Sequence, residues 1–246
     1  MTAIAGNHTS RRLLGKGNSA FLFGAAIVAC SSSAAAQTSA AVSIFTDDRF
    51  RGYTLSESRP VALVDLYYDD PSGLYGTLSG KLVASERDGV RPLGFILNGG
   101  YAKRLSSGIT IDAGATHSVY SEVSDRAAAR SYTEFYVGLS GKVLTGRLYA
   151  SPDYVNGGSI YGELNFALEI APSLRLSGHA GLLAPLGNNE DSYSYRREVD
   201  WRVGISRQIG PVTLQAAWVG VRPGQSLYRY GYHHREALVL GMTYAL

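Results

Sequence analysis

Three features of the sequence predict an all-β fold: a closed antiparallel transmembrane β-barrel of twelve strands, following an N-terminal signal peptide. Segments of alternating apolar and polar residues, each about ten residues long, recur from residue 40 to the C-terminus. The connections between them run short, then long, in turn. The composition suits neither a water-soluble domain nor a helical membrane protein. It has 29 Gly and 17 Tyr in 246 residues, 17% charged residues and a mean hydropathy of -0.03.

The first element is the leader. Arg11, Arg12 and Lys16 precede an apolar run over 20–29, and small residues ending in Ala34-Ala35-Ala36-Gln37 suit cleavage after Ala36. The apolar run is too short to span a bilayer comfortably. Residues 1–36 are therefore expected to be a signal peptide and 37–246 a single barrel domain. Ile27-Val28-Ala29-Cys30 also resembles a lipobox, so lipidation of Cys30 is the competing expectation. On the cleavage reading the exported chain has no cysteine and needs no disulfide framework. Losing the three leader charges reduces the 23 basic residues to 20, against 20 acidic ones, so no basic stripe for nucleic acid remains.

Strands are expected near 40–51, 59–69, 73–84, 91–103, 109–119, 131–141, 143–151, 159–170, 174–184, 199–209, 212–221 and 235–246. In the first, Asp47, Arg49 and Arg51 alternate onto one face. In the third, Leu74, Leu78 and Leu82 alternate with Tyr75, Thr77, Ser79 and Lys81. The sixth sets Thr133, Phe135, Val137 and Leu139 against Glu134, Tyr136, Gly138 and Ser140. The eighth sets Leu164, Phe166, Leu168 and Ile170 against Tyr161, Glu163, Asn165 and Glu169. In the ninth, Leu174, Leu176, Ala180 and Leu182 face away from Arg175, Ser177 and His179. The last runs flush to the C-terminus, and its Gly241-x-x-Tyr244-x-Leu246 resembles the terminal signal read by the barrel-assembly machinery, with Leu where Phe is usual.

Tight turns are expected at Asp69-Asp70-Pro71-Ser72, 104–108, Ala171-Pro172-Ser173 and Gly210-Pro211, with a poorly marked one at Gly141-Lys142. Longer polar connections fall at 85–90, 120–130, 152–158, 185–198 and 222–234. This order fits a barrel with both termini on the periplasmic side and its long loops outside. A sheet can cross hydrocarbon only when closed, with an apolar outer face and an inner face free to be wet. The predicted inner face carries Lys81, Asp112, Glu134, Arg147, Glu163, Arg175 and Arg202, too many charges for the dry core of a small sandwich.

Thr46-Asp47-Asp48-Arg49-Phe50-Arg51-Gly52 resembles the opening motif of the TorF-like porins of proteobacteria, whose members usually carry an aromatic where Asp48 stands. Tyr132-Thr133-Glu134-Phe135-Tyr136-Val137-Gly138, Leu148-Tyr149-Ala150-Ser151-Pro152-Asp153-Tyr154 and Asp200-Trp201-x-Val203-Gly204 are similar to that family's further motifs, in its order. The resemblance implies an exported outer-membrane barrel of a Gram-negative bacterium with a pore.

The candidate pore-lining residues are therefore Asp47, Arg49, Arg51, Lys81, Asp112, Glu134, Arg147, Glu163, Arg175 and Arg202. Mixed charges of this kind serve equally as a constriction that orients a solute or as a self-neutralising network that plugs the barrel. His233-His234, near Tyr228, Tyr230 and Tyr232, lacks an acidic partner at ligand spacing and reads as polar loop, so no metal site is expected. A hydrolytic barrel would need a Ser and a base on the outer wall, and no such pair stands at a recognisable spacing for His117 or His179. No catalytic residue and no cofactor is expected. The reading is a passive pore for small hydrophilic solutes, with outer-membrane lipid and the barrel-assembly machinery as partners. Its rival is a structural or loop-interaction barrel without an open pore.

Overall fold

The computed structural model describes residues 36–85, 89–124, 130–154, 157–186, 197–222 and 235–246. The expected leader with Cys30, and the His233-His234 loop with its tyrosines, lie outside the described residues. The strands in chain order are β1 Gln37–Phe45, β2 Arg49–Phe50, β3 Tyr53–Thr54, β4 Val61–Asp69, β5 Leu74–Ser85, β6 Gly89–Arg104 and β7 Thr110–Tyr120. They continue with β8 Ser131–Ser140, β9 Leu144–Ser151, β10 Gly158–Ala171, β11 Leu174–Leu186, β12 Glu198–Ile209, β13 Val212–Arg222 and β14 Glu236–Ala245.

Twelve of these, β1 and β4 to β14, form one closed antiparallel barrel. The seam is β1 against β14, from Ala41↔Ala245 to Phe45↔Gly241, while β1 also pairs with β4 from Gln37↔Asp69 to Phe45↔Val61. Closure leaves no edge strand, so every wall backbone group has a ladder partner available. At the seam Ser43 Oγ and Thr243 Oγ1 share an inward hydrogen bond of 2.9 Å.

The period-2 pattern sorts the two faces. On β8 the inner Tyr132, Glu134, Tyr136, Gly138 and Ser140 are buried, whereas Phe135, Val137 and Leu139 are more than half exposed on the outside. Leu148, Leu164 and Leu182 extend the same outer belt across β9, β10 and β11. Monomers in water rarely expose a contiguous apolar patch above a few hundred Å². A belt that encircles the barrel is the surface of a protein solvated by hydrocarbon.

Short turns close one end. Asp70 N–H donates to the Leu74 carbonyl and Gly73 N–H to the Asp70 carbonyl, both at 2.8 Å, with Gly73 at φ 102°. Asp70 Oδ1 accepts the Ser72 N–H at 2.8 Å, and hydrogen bonds from Ser72 hold that carboxyl below its usual range. The poorly marked turn is a tight one, closed by Gly141 N–H to the Leu144 carbonyl at 2.8 Å. The expected loop at 85–90 shrinks, because β5 and β6 stay paired out to Ser85↔Gly89 past a bulge at Lys81/Leu82.

The first strand departs from expectation. The sequence predicts one strand over 40–51, but β1 ends at Phe45, and the chain leaves the wall at 46 and rejoins it at Val61. Asp47, Arg49 and Arg51 therefore do not share a wall-strand face. Their alternation is that of a small hairpin, β2–β3, folded into the lumen. The physical reason is that Arg51 finds Glu134 across the barrel, out of reach of a wall strand, while Asp47 and Arg49 pair with each other inside the hairpin.

Candidate functional site

Residues 46–60, here called the strap, cross the wide-loop end of the lumen. Arg51-Gly52 turn the hairpin, with pairs Arg49↔Thr54 and Phe50↔Tyr53. Both turn residues have positive φ, 49° and 79°, which is the conformation of a type I′ turn. Gly suits the second position. Arg at the first is strained, so other contacts must hold it there. Asp47 gathers the hairpin around itself. Its Oδ2 accepts Arg49 Nε at 2.7 Å, and its Oδ1 accepts the hydroxyls of Thr54 and Ser56 at 2.6 and 2.9 Å.

Four anchors fix the strap to separated parts of the wall. Lys81 Nζ on β5 donates to both Asp48 oxygens, at 2.8 and 3.1 Å. Arg51 Nη2 donates to Glu134 Oε1 on β8 at 2.6 Å. Tyr53 OH donates to Glu198 Oε1 on β12 at 2.9 Å. Gly52 lies so close to β13 that a Cβ there would fall 2.6 Å from the Gly220 carbonyl oxygen. Leu55, fully buried, joins Leu63, Val83 and Leu93 in one apolar cluster beneath the mouth. Strands β5, β8 and β12 stand well apart around the barrel, so the strap braces the opening from three sides.

Beneath the strap, inner side chains bond to one another from one strand to another. Arg147 Nη2 donates to Asp112 Oδ2 at 2.7 Å, and Tyr75 OH shares a 2.5 Å bond with Tyr136 OH. His179 lies between Asp200 Oδ1, 2.7 Å from Nε2, and Asn165 Oδ1, 2.8 Å from Nδ1. Every wall strand contributes at least one buried inward side chain. A shallow apolar groove does exist, but on the outer wall, where Leu139, Leu148, Leu164 and Leu182 border Gly146 and Gly162. In a bilayer that groove meets acyl chains.

The ten residues singled out by sequence divide into three sets. Asp47, Arg49 and Arg51 lie in the strap, and Lys81, Asp112, Glu134 and Arg147 are buried on the inner faces of β5, β7, β8 and β9. Glu163, Arg175 and Arg202 are half-buried on the inner faces of β10, β11 and β12. The structure pairs Arg49 with Asp47, Arg51 with Glu134 and Arg147 with Asp112. Among the described residues, neither Arg175 nor Arg202 makes an ion pair, and Glu163 accepts from Tyr149 OH and Asn165 Nδ2 instead. Sequence reading missed Asp48, Glu198, Asp200 and a lateral row of tyrosines, Tyr136↔Tyr149↔Tyr161, in register across β8, β9 and β10. Inward alternation could have flagged that row, because all three share the parity of the charged face.

His117, on the outer face of β7, does meet hydroxyls that its spacing in the chain conceals. Nδ1 lies 2.9 Å from Thr133 Oγ1 and Nε2 3.3 Å from Ser131 Oγ. The third member is a hydroxyl, which orients the ring but cannot stabilise an imidazolium as a carboxylate does. The trio reads as a cross-strand polar cluster at the rim of the apolar belt. Among the described residues no group of His, Cys, Asp and Glu is arranged to hold a metal ion.

The chain has relatives by sequence family and by fold. The model of a family described as a bacterial protein of unknown function, Gcw_chp, matches residues 29–242. The chain belongs to this family. No curated protein matches the sequence. Among solved structures, this Gcw_chp chain is similar to the NanC porin, with TM-score 0.57 at 10% identity over 84% of this chain and 100% of that one. It is similar also to the KdgM porin, with TM-score 0.52 at 9% identity over 85% and 99%. At such identities the likeness is one of fold: a closed antiparallel barrel of the porin type.

Proposed function

We propose that this chain is a pore of the Gram-negative outer membrane for small hydrophilic solutes, held shut by the strap in the arrangement described. The observation that carries this reading is the joint one of an apolar outer belt, a charged inner face and a mouth spanned by a segment on discrete polar anchors. A barrel that only needed filling would have no use for buried ion pairs between the filling and the wall. Here two ion pairs and a phenol-carboxylate hydrogen bond, which water could replace, fix the strap above a small apolar cluster. The porin fold of NanC and KdgM, and the resemblance of 46–52 to the TorF-like porins, support the same assignment. No step requires a cofactor.

Single-channel recording of the refolded protein in planar bilayers tests it. The wild type should give infrequent openings, and Arg51→Asn, which keeps a favourable Asn-Gly turn while removing the clamp to Glu134, should open more often. A second reading, a sealed barrel acting through its external loops, is favoured by the buried inner side chains on every strand. Folded wild-type and Arg51→Asn barrels that are both electrically silent would establish that reading instead.

A further inference from the structure

Arg51 is held by one carboxylate and a set of rings. Its Cζ lies 3.8 Å from the centroid of Tyr161, 4.4 Å from Tyr154, 4.8 Å from Phe50 and 6.0 Å from Tyr149. Among the described residues only Nη2 has a hydrogen-bond acceptor, Glu134, and the buried Nε and Nη1 have none. A guanidinium out of water normally recruits carbonyls or carboxylates for its other donors, so the π faces supply the compensation here.

Most of this cage does not belong to the strap. Tyr149, Tyr154, Tyr161 and Glu134 come from the wall or its connection after β9, and only Phe50 travels with Arg51. The wall rings also have contacts apart from the strap, Tyr154 standing edge-on to Tyr132 of β8 with centroids 4.9 Å apart. Tyr149 OH donates to Glu163 Oε1 at 3.2 Å, and Tyr161 OH to Asp200 at 3.0 Å. Phenols bonded to carboxylates present electron-rich faces in a fixed orientation. With the strap displaced, three rings and a carboxylate would remain, preorganised for a flat cation.

We infer that this cage at the barrel mouth is a binding site for guanidinium-type organic cations, normally occupied by Arg51 itself, and that such a solute opens the barrel by taking its place. The inference rests on the closed-pore reading for its second half only. Binding to the vacated cage can be measured without any conduction. A cation recognised by stacking, with one carboxylate and no further acceptor, is distinguished from its neutral isostere chiefly by charge. Urea therefore provides the control.

The test has two arms. In calorimetry on refolded Arg51→Asn, guanidinium should bind at least about tenfold more tightly than urea, and adding Glu134→Gln should abolish most of that difference. Equal binding of guanidinium and urea would overturn the site. In bilayers, millimolar guanidinium should raise wild-type opening saturably while urea leaves it unchanged, and Glu134→Gln should lose the response. A wild-type channel that conducts but ignores guanidinium would overturn the displacement and reduce Arg51 to a structural latch. Binding by Arg51→Asn with no conductance in either protein would keep the site and defeat the pore reading alone.

Discussion

Asp48 and Lys81 show how a single pair decides what the mouth can do. Both side chains are almost completely buried, at 0% and 2% exposure. Removing one partner of a buried pair typically costs about 3–5 kcal/mol, because the other is left charged and dry, whereas exchanging both for apolar groups is often neutral. Lys81→Met alone should therefore loosen the strap and lower the unfolding midpoint in urea. Lys81→Met with Asp48→Val should restore most of the loss, because two apolar side chains of similar volume leave no charge stranded. A double variant as unstable as the single one would mean that the pair contributes geometry that apolar packing cannot replace. The cycle also tests additivity, since contacting residues should couple strongly.

At the scale of the element, the twelve wall strands were legible because period-2 alternation with Gly and Pro punctuation reports a half-buried strand whatever its partner. The strap was not legible, for a physical reason. Asp47, Arg49 and Arg51 alternate as a strand does, but the property that removes them from the wall is the position of partners 83 and 145 residues away, Arg51 with Glu134 and Tyr53 with Glu198. One local signal was present: a Gly after Arg51 permits a turn that a continuous strand would not use. The inner and outer faces invite a direct comparison. Leu164 lies on the outside of β10, and Thr145 is half-buried on the inner face of β9, where it pairs with Asn165. Leu164→Arg should cost about 2–4 kcal/mol near the bilayer midplane and reduce the heat-modifiable folded band on gels. Thr145→Arg should fold nearly as well as the wild type. Inner positions are not uniformly tolerant, since Asn165 is engaged by His179 and contacts Glu163, so an Arg there should also be harmful. Equal folding of Leu164→Arg and Thr145→Arg would contradict the assigned faces.

At the scale of the whole molecule, two layers of side chains stand in the lumen, and their relative importance as a barrier is measurable. The strap sits across the mouth on polar anchors, and the inner side chains bond to one another beneath it. Barrel assembly depends on the outer belt and on the β1–β14 seam, where Phe45 packs across Gly241 and Thr46 bonds Leu240, and neither needs the strap beyond Thr46. Replacing 47–58 by a two-residue Asn-Gly turn should therefore leave a barrel that still assembles and resists unfolding in detergent. The deletion exposes Lys81, Glu134 and Glu198 to water rather than stranding them, because the space above them becomes solvent. Hydrated charges cost little, so stability should fall mainly by the lost burial of Tyr53 and Leu55, at about 1.5–3 kcal/mol for each large side chain. If the strap is the barrier, this barrel should conduct steadily, with none of the rare openings expected of the wild type. If it assembles and stays silent, the inner network of Arg147, Asp112, Tyr136 and His179 is itself the seal. The strap would then be a brace, and any solute path would have to run through rearrangement of the filled lumen.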